Sequence, residues 1–136
     1  MAAFVNERTA VTRNAINWFE IPVADIDRAQ HFYETLLARS LQRAQAGPQT
    51  LAVFPYEVGT GVGGMLKQDD AATAPATATT LVYFDAGPSL DAVLSRAGEL
   101  GARIVQSRTE LPNGNGFTAH LLDTEGNRIG LHSLKA

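Results

Sequence analysis

Trp18 and Glu20 are alternate residues of an extended run, Ile16-Asn17-Trp18-Phe19-Glu20-Ile21-Pro22-Val23. In a strand they share one face, while Phe19, Ile21 and Val23 share the other. A carboxylate in a half-dry hollow beside an indole suits a general base. The plainer alternative pairs Glu20 with Arg128 or a backbone donor. Near the far end of the chain, Arg128 and His132 flank Gly130 on one strand parity, and His120 belongs to the strand before it. These imidazoles could act as acid–base groups, substrate donors or metal ligands. The planar fork of Arg128 suits an anionic ligand, or else Asp123, Glu125 or Glu20. Trp18 could stack on a planar ligand or simply fill the hollow. Tyr83 and Asp85 join the same face if Val82, Phe84 and Ala86 turn the other way.

Other chemistries are excluded by composition or order. The absence of cysteine removes disulfides, thiolate metal sites and cysteine nucleophiles. Gly59-x-Gly61-x-Gly63-Gly64 lacks the following Lys-Ser/Thr of a phosphate-binding loop, so these glycines are assigned to a strand bend or a close approach. No Ser/His/Asp order stands out. A formal net charge of −3 disfavours nucleic acid, which demands a cationic surface. No apolar run approaches a membrane span, and the start has no signal-like apolar segment. The expectation is a cytoplasmic protein without nucleic-acid or membrane partners. Its 136 residues predict a single domain.

Elements that position these residues follow from periodicity. After the first strand, Asp25 or Asp27 can cap a helix with the stripe Ile26, Ala29, Phe32, Tyr33, Leu36 and Leu37. Short strands are predicted near 41–45, 49–55 and 61–66. Residues 68–78 have linker composition. The order then repeats: a strand at 81–86, and a helix opening at Pro88-Ser89 with Gly101 at its left-handed end. Strands at 102–107, 116–122 and 128–134 complete it. The predicted organisation is an arm (1–14), a first β-α-β-β-β module (15–67), a linker (68–78) and a second module (79–134). The fold class is α+β: two paired β-α-β-β-β modules forming a curved mixed sheet around a trough.

Two segments carry a family resemblance. Asn17-Trp18-Phe19-Glu20-Ile21-Pro22-Val23-x-Asp25-x-Asp27-Arg28-Ala29-x-x-Phe32-Tyr33 resembles the opening of the vicinal oxygen chelate superfamily. That group includes glyoxalase I, bleomycin-resistance proteins, fosfomycin-resistance enzymes and extradiol dioxygenases. Asp123-x-Glu125-Gly126-Asn127-Arg128-Ile129-Gly130-Leu131 resembles its closing hairpin, with Thr124 where Pro is usual. The resemblance implies a trough with a divalent metal held by His and Glu. Transferred position by position, those ligands fall on Trp18, near Gly63-Gly64, on Thr80 or Leu81, and on Gly130. None of these suits a metal, so no metal ligand is assigned and no cofactor is expected. The reading is a small-molecule binder related to glyoxalase and bleomycin-resistance proteins. Glu20 and His120 are its candidate catalytic residues, and Trp18, Tyr83, Arg128 and His132 its ligand-binding ones. The alternative is a glyoxalase-like lyase or isomerase with Glu20 as base and a divalent ion in a displaced site. The resemblance also implies a homodimer.

Overall fold

A computed structural model describes residues 14–69 and 79–136. The predicted arm, except Asn14, and most of the predicted linker lie outside the described residues. The first module comprises β1 (Ile16–Pro22), α1 (Ile26–Leu37), β2 (Gln42–Ala46), β3 (Gln49–Val53) and β4 (Gly63–Gln68). The second comprises β5 (Leu81–Asp85), α2 (Leu90–Glu99), β6 (Arg103–Glu110), β7 (Phe117–Leu122) and β8 (Arg128–Ser133), with a 3-10 turn at Pro112–Gly114.

Local chemistry sets the ends of these elements. Asp25 caps α1 by accepting from the Arg28 amide at 3.1 Å, and Ser89 caps α2 by accepting from the Ala92 amide at 3.2 Å. Gly101 follows α2 at φ +72°, the left-handed conformation assigned to it from sequence. The end of α1 departs from that rule, because Ala38 takes the left-handed position at φ 52°. The closing hairpin is held by Asp123, whose Oδ1 accepts from the amides of Glu125 and Asn127, both at 2.8 Å. Gly126 turns the chain at φ +84°.

All eight strands form one sheet, ordered β2-β3-β4-β1-β5-β8-β7-β6. Each module has one parallel pair, β1 with β4 and β5 with β8, and the modules join through the antiparallel pair β1–β5. The sheet curls until β2 meets the 3-10 turn beyond β6. Helix α1 covers one flank through Ile26 against Ala52 and Leu66; α2 covers the other through Leu90 and Ala97 against Ala119, Leu121 and Leu131. Between them the outer face of the central strands is left open, so Val82 and Phe84 stay 38% and 39% exposed. The inner face carries its own apolar cluster, in which Trp18, Leu51, Met65, Tyr83 and Leu111 are buried. The outermost strands, β2 and β6, show polar side chains such as Gln42, Arg43, Arg103 and Arg108 to solvent. Charged side chains on an edge strand discourage the addition of a further strand. Among the described residues, no helix is long and apolar enough to cross a membrane.

Candidate functional site

Strand register assembles a row of four residues across the middle of the trough. Trp18 pairs with Gly63 on one side and Tyr83 on the other, and Tyr83 pairs with Gly130. The fifth-strand member is therefore Tyr83, not Thr80 or Leu81, because pairing with β1 fixes the row. The two aromatic rings lie over the two glycines. A Cβ at Gly63 would stand 2.6 Å from Trp18 Cζ3, and one at Gly130 would overlap the Tyr83 ring. Trp18 and Tyr83 are 0% and 1% exposed. The residues of this row do not fit a divalent ion. They supply a single oxygen, the Tyr83 hydroxyl, and rings occupy the space over both glycines. Nor, among the described residues, do three His, Asp or Glu side chains converge on a common point.

The ring-over-glycine packing has a direct test. Gly130→Ala should lower the unfolding free energy by about 1–3 kcal/mol through overpacking. In a Tyr83→Ala background the same methyl should be tolerated. Urea midpoints of the four proteins measure both effects, and an unchanged midpoint for the single variant would refute the packing.

A polar chain crosses the sheet beside this row. Lys67 Nζ lies 3.2 Å from Glu20 Oε2, with side chains 14% and 9% exposed. The Tyr83 hydroxyl is 2.8 Å from Glu20 Oε1 and 2.5 Å from His120 Nε2. Arg128 Nη2 and Nε reach His120 Nδ1 at 2.9 and 3.3 Å. A guanidinium can only donate, so Nδ1 must accept, and a neutral His120 carries its proton on Nε2. That proton goes to the Tyr83 oxygen, and the Tyr83 hydroxyl donates to Glu20. Every proton in the chain thus has one place. Desolvation is the main cause that lowers the His120 pKa to about 4, with Arg128 and Lys67 adding repulsion. Desolvation likewise raises the Tyr83 pKa, reinforced by the Glu20 carboxylate.

A second group forms a wall at the other side of Trp18. His132 stacks on the indole with centroids 5.2 Å apart and planes 6° apart, while Tyr56 meets it edge-on at 5.5 Å. His132 Nε2 donates to the Asn115 carbonyl at 2.6 Å, and the Tyr56 hydroxyl donates to Asn115 Oδ1 at 2.6 Å. Burial lowers the His132 pKa, opposed by the Asn115 carbonyl and by Asp85.

The residues singled out from sequence therefore divide into two groups. Glu20, Tyr83, His120 and Arg128 form one continuous chain; Trp18 and His132 form the aromatic wall. A hollow of about 290 Å³ opens on the first group, with Glu20, Lys67 and Tyr83 on its floor. Gln106 and Thr118 add polar groups, and Leu51, Met65 and Leu111 add apolar wall. Trp18, His120 and Arg128 do not line it. The Arg128 fork engages His120 rather than a carboxylate or this hollow. Sequence reading missed Lys67, although it lies four residues after Gly63 and so shares its parity. Tyr56 and Asn115 were also missed, since both sit in loops without a period.

These features define a duplicated β-α-β-β-β trough protein. The chain matches the model of the Glyoxalase/Bleomycin resistance protein/Dioxygenase superfamily over residues 15–131, and it belongs to that superfamily. Among solved structures, methylmalonyl-CoA epimerase from Mycobacterium tuberculosis is similar, with TM-score 0.69 and 18% identity over 96% of both chains. A single-residue variant of Streptomyces coelicolor methylmalonyl-CoA epimerase, in complex with 2-nitronate-propionyl-CoA, gives 0.66 and 13% identity over 88% of this chain and 96% of its own. A hypothetical protein from Bacillus halodurans C-125 gives 0.66 and 15% over 89% and 94%. At these identities the likeness is one of fold. No curated protein matches the chain significantly.

Proposed function

We propose that the trough binds a small organic molecule with an apolar body and one uncharged polar end, without a divalent metal. The observation that carries this reading is the aromatic filling of the central row beside a floor of fixed hydrogen-bond polarity. Lys67 and Glu20 neutralise one another, so the floor holds no spare cation for an anionic ligand. The other polar groups of the hollow are Gln49, Gln106, Thr109 and Thr118, together with the exposed carboxylate of Glu110, which adds no cation either. Apolar contacts with Leu51, Met65 and Leu111 would supply affinity, and the polar floor orientation.

Both oxygens of Glu20 already accept, one from Lys67 and one from Tyr83. That favours binding over proton abstraction. The superfamily and the two epimerase neighbours make enzyme assays the obligatory counter-test. Protein purified without chelator should contain far less than one equivalent of Mn, Fe, Co, Ni or Zn. Its melting temperature should not move with EDTA or added metal. Neutral aromatic fragments such as benzamide should shift the amide resonances of Lys67, Tyr83 and Thr118 equally with and without EDTA. Stoichiometric metal whose removal abolishes binding would overturn the reading. So would turnover of the methylglyoxal–glutathione hemithioacetal or of methylmalonyl-CoA.

A further inference from the structure

We propose that the second module builds a separate binding site, for a small primary ammonium ion, on the opposite side of the Trp18–Tyr83 row. Its placement follows from the duplication. Glu20 lies two residues after Trp18, and Asp85 two residues after Tyr83. Because β1 and β5 run antiparallel with Trp18 opposite Tyr83, these carboxylates fall on opposite sides of the row. Each borders a cavity of similar size, about 290 Å³ at Glu20 and about 280 Å³ at Asp85.

The two carboxylates differ in their pairing, and the second cavity has unmet hydrogen bonds. Glu20 has Lys67; Asp85 accepts from the Gly87 amide at 2.9 Å and, among the described residues, joins no salt bridge. His132, 3% exposed, lines the Asp85 cavity and has a buried Nδ1 without a partner. With Nε2 donating to the Asn115 carbonyl, neutral His132 holds an unused acceptor at Nδ1. The buried Oδ1 of Asn17, on the same cavity, is a second unused acceptor. Tyr56 adds an aromatic ring and Thr60 a hydroxyl to the lining. Acceptors with a carboxylate and a ring suit an ammonium group, which has three donors and no acceptor. Among the described residues, Lys135 is the one cation of the lining; it is exposed and opposes such a ligand. The site is independent of what the trough holds.

The test is an amide and imidazole nitrogen titration of the full chain with propylammonium chloride, against sodium propionate at matched ionic strength. The ammonium should give saturable shifts at Asp85, Gly87 and Ser133, and move the His132 Nδ1 resonance as it begins to accept. Propionate should not. Asp85→Asn should weaken binding by about tenfold, the loss of one charge-assisted hydrogen bond. Lys135→Ala should tighten it, which keeps the test decisive if Asp85→Asn disturbs the Gly87 turn. Shifts that never saturate, equal shifts with propionate, or unchanged affinity in a folded Asp85→Asn protein would each overturn the site. So would weaker binding in Lys135→Ala.

Discussion

Replacing Glu20 by alanine is expected to lower the unfolding free energy by about 3–5 kcal/mol, the range for removing one partner of a buried ion pair. Two groups lose their partner at once. The Lys67 ammonium, on a side chain 14% exposed, is left without its counter-ion, and the Tyr83 hydroxyl without its acceptor. Water entering the trough can reach Lys67, which lines it, so the lower end of the range is expected for that side chain. The pair itself need not be a net gain, since desolvation offsets much of its attraction. A Glu20→Leu/Lys67→Met protein should therefore recover most of the loss. Urea unfolding of Glu20→Leu, Lys67→Met and the double variant gives the coupling directly. If Glu20→Ala unfolds at the wild-type midpoint, Glu20 is not held between Lys67 and Tyr83.

Stability should also fall by about 3 kcal/mol on acidification because of His120 alone. In the folded protein its pKa is about 4, whereas the ordinary value is 6.5. Between those values the unfolded chain binds a proton that the folded chain refuses. The penalty is absent above the ordinary value, grows as pH falls, and is complete below the folded pKa. His132 contributes in the same direction. The comparison protein is His120→Gln, whose amide offers the same order of groups: an oxygen to accept from Arg128 and an N–H to donate to Tyr83. Its stability should fall less steeply between pH 6.5 and 4 than that of the wild type. Parallel pH profiles would show that His120 is not held neutral by its surroundings.

What the sequence made legible was local or periodic. The caps at Asp25 and Ser89, the Asp123–Asn127 turn and the left-handed Gly101 each depend on residues a few positions apart. Alternation in β1 and β8 was enough to place Trp18, Glu20 and His132 on the inner face. The family opening and closing motifs were legible for the same reason, since one runs through β1 into α1 and the other through a turn into β8, without a break in the chain. Register between strands was not legible. Tyr83 enters the central row because β5 pairs with β1, and no spacing within the chain states that pairing. The Arg128–His120 contact similarly needs the β7–β8 register, which sets His120 beside Gly130 and Arg128 at the start of its strand. The direction of the Trp18 ring also depended on partners distant in sequence, Tyr56 and His132. An alanine at the left-handed end of α1 runs against residue preference, so no rule would have named it.

The order of protons along the chain has a consequence for control. Arg128 is the exposed member, at the start of the closing strand, yet it alone obliges His120 to accept at Nδ1. A neutral residue there would free the imidazole to turn its lone pair toward Tyr83, and the phenol could then swing away from the carboxylate. A change made on the outside of the molecule would thus be felt inside it as a reversed dipole, with no backbone movement needed.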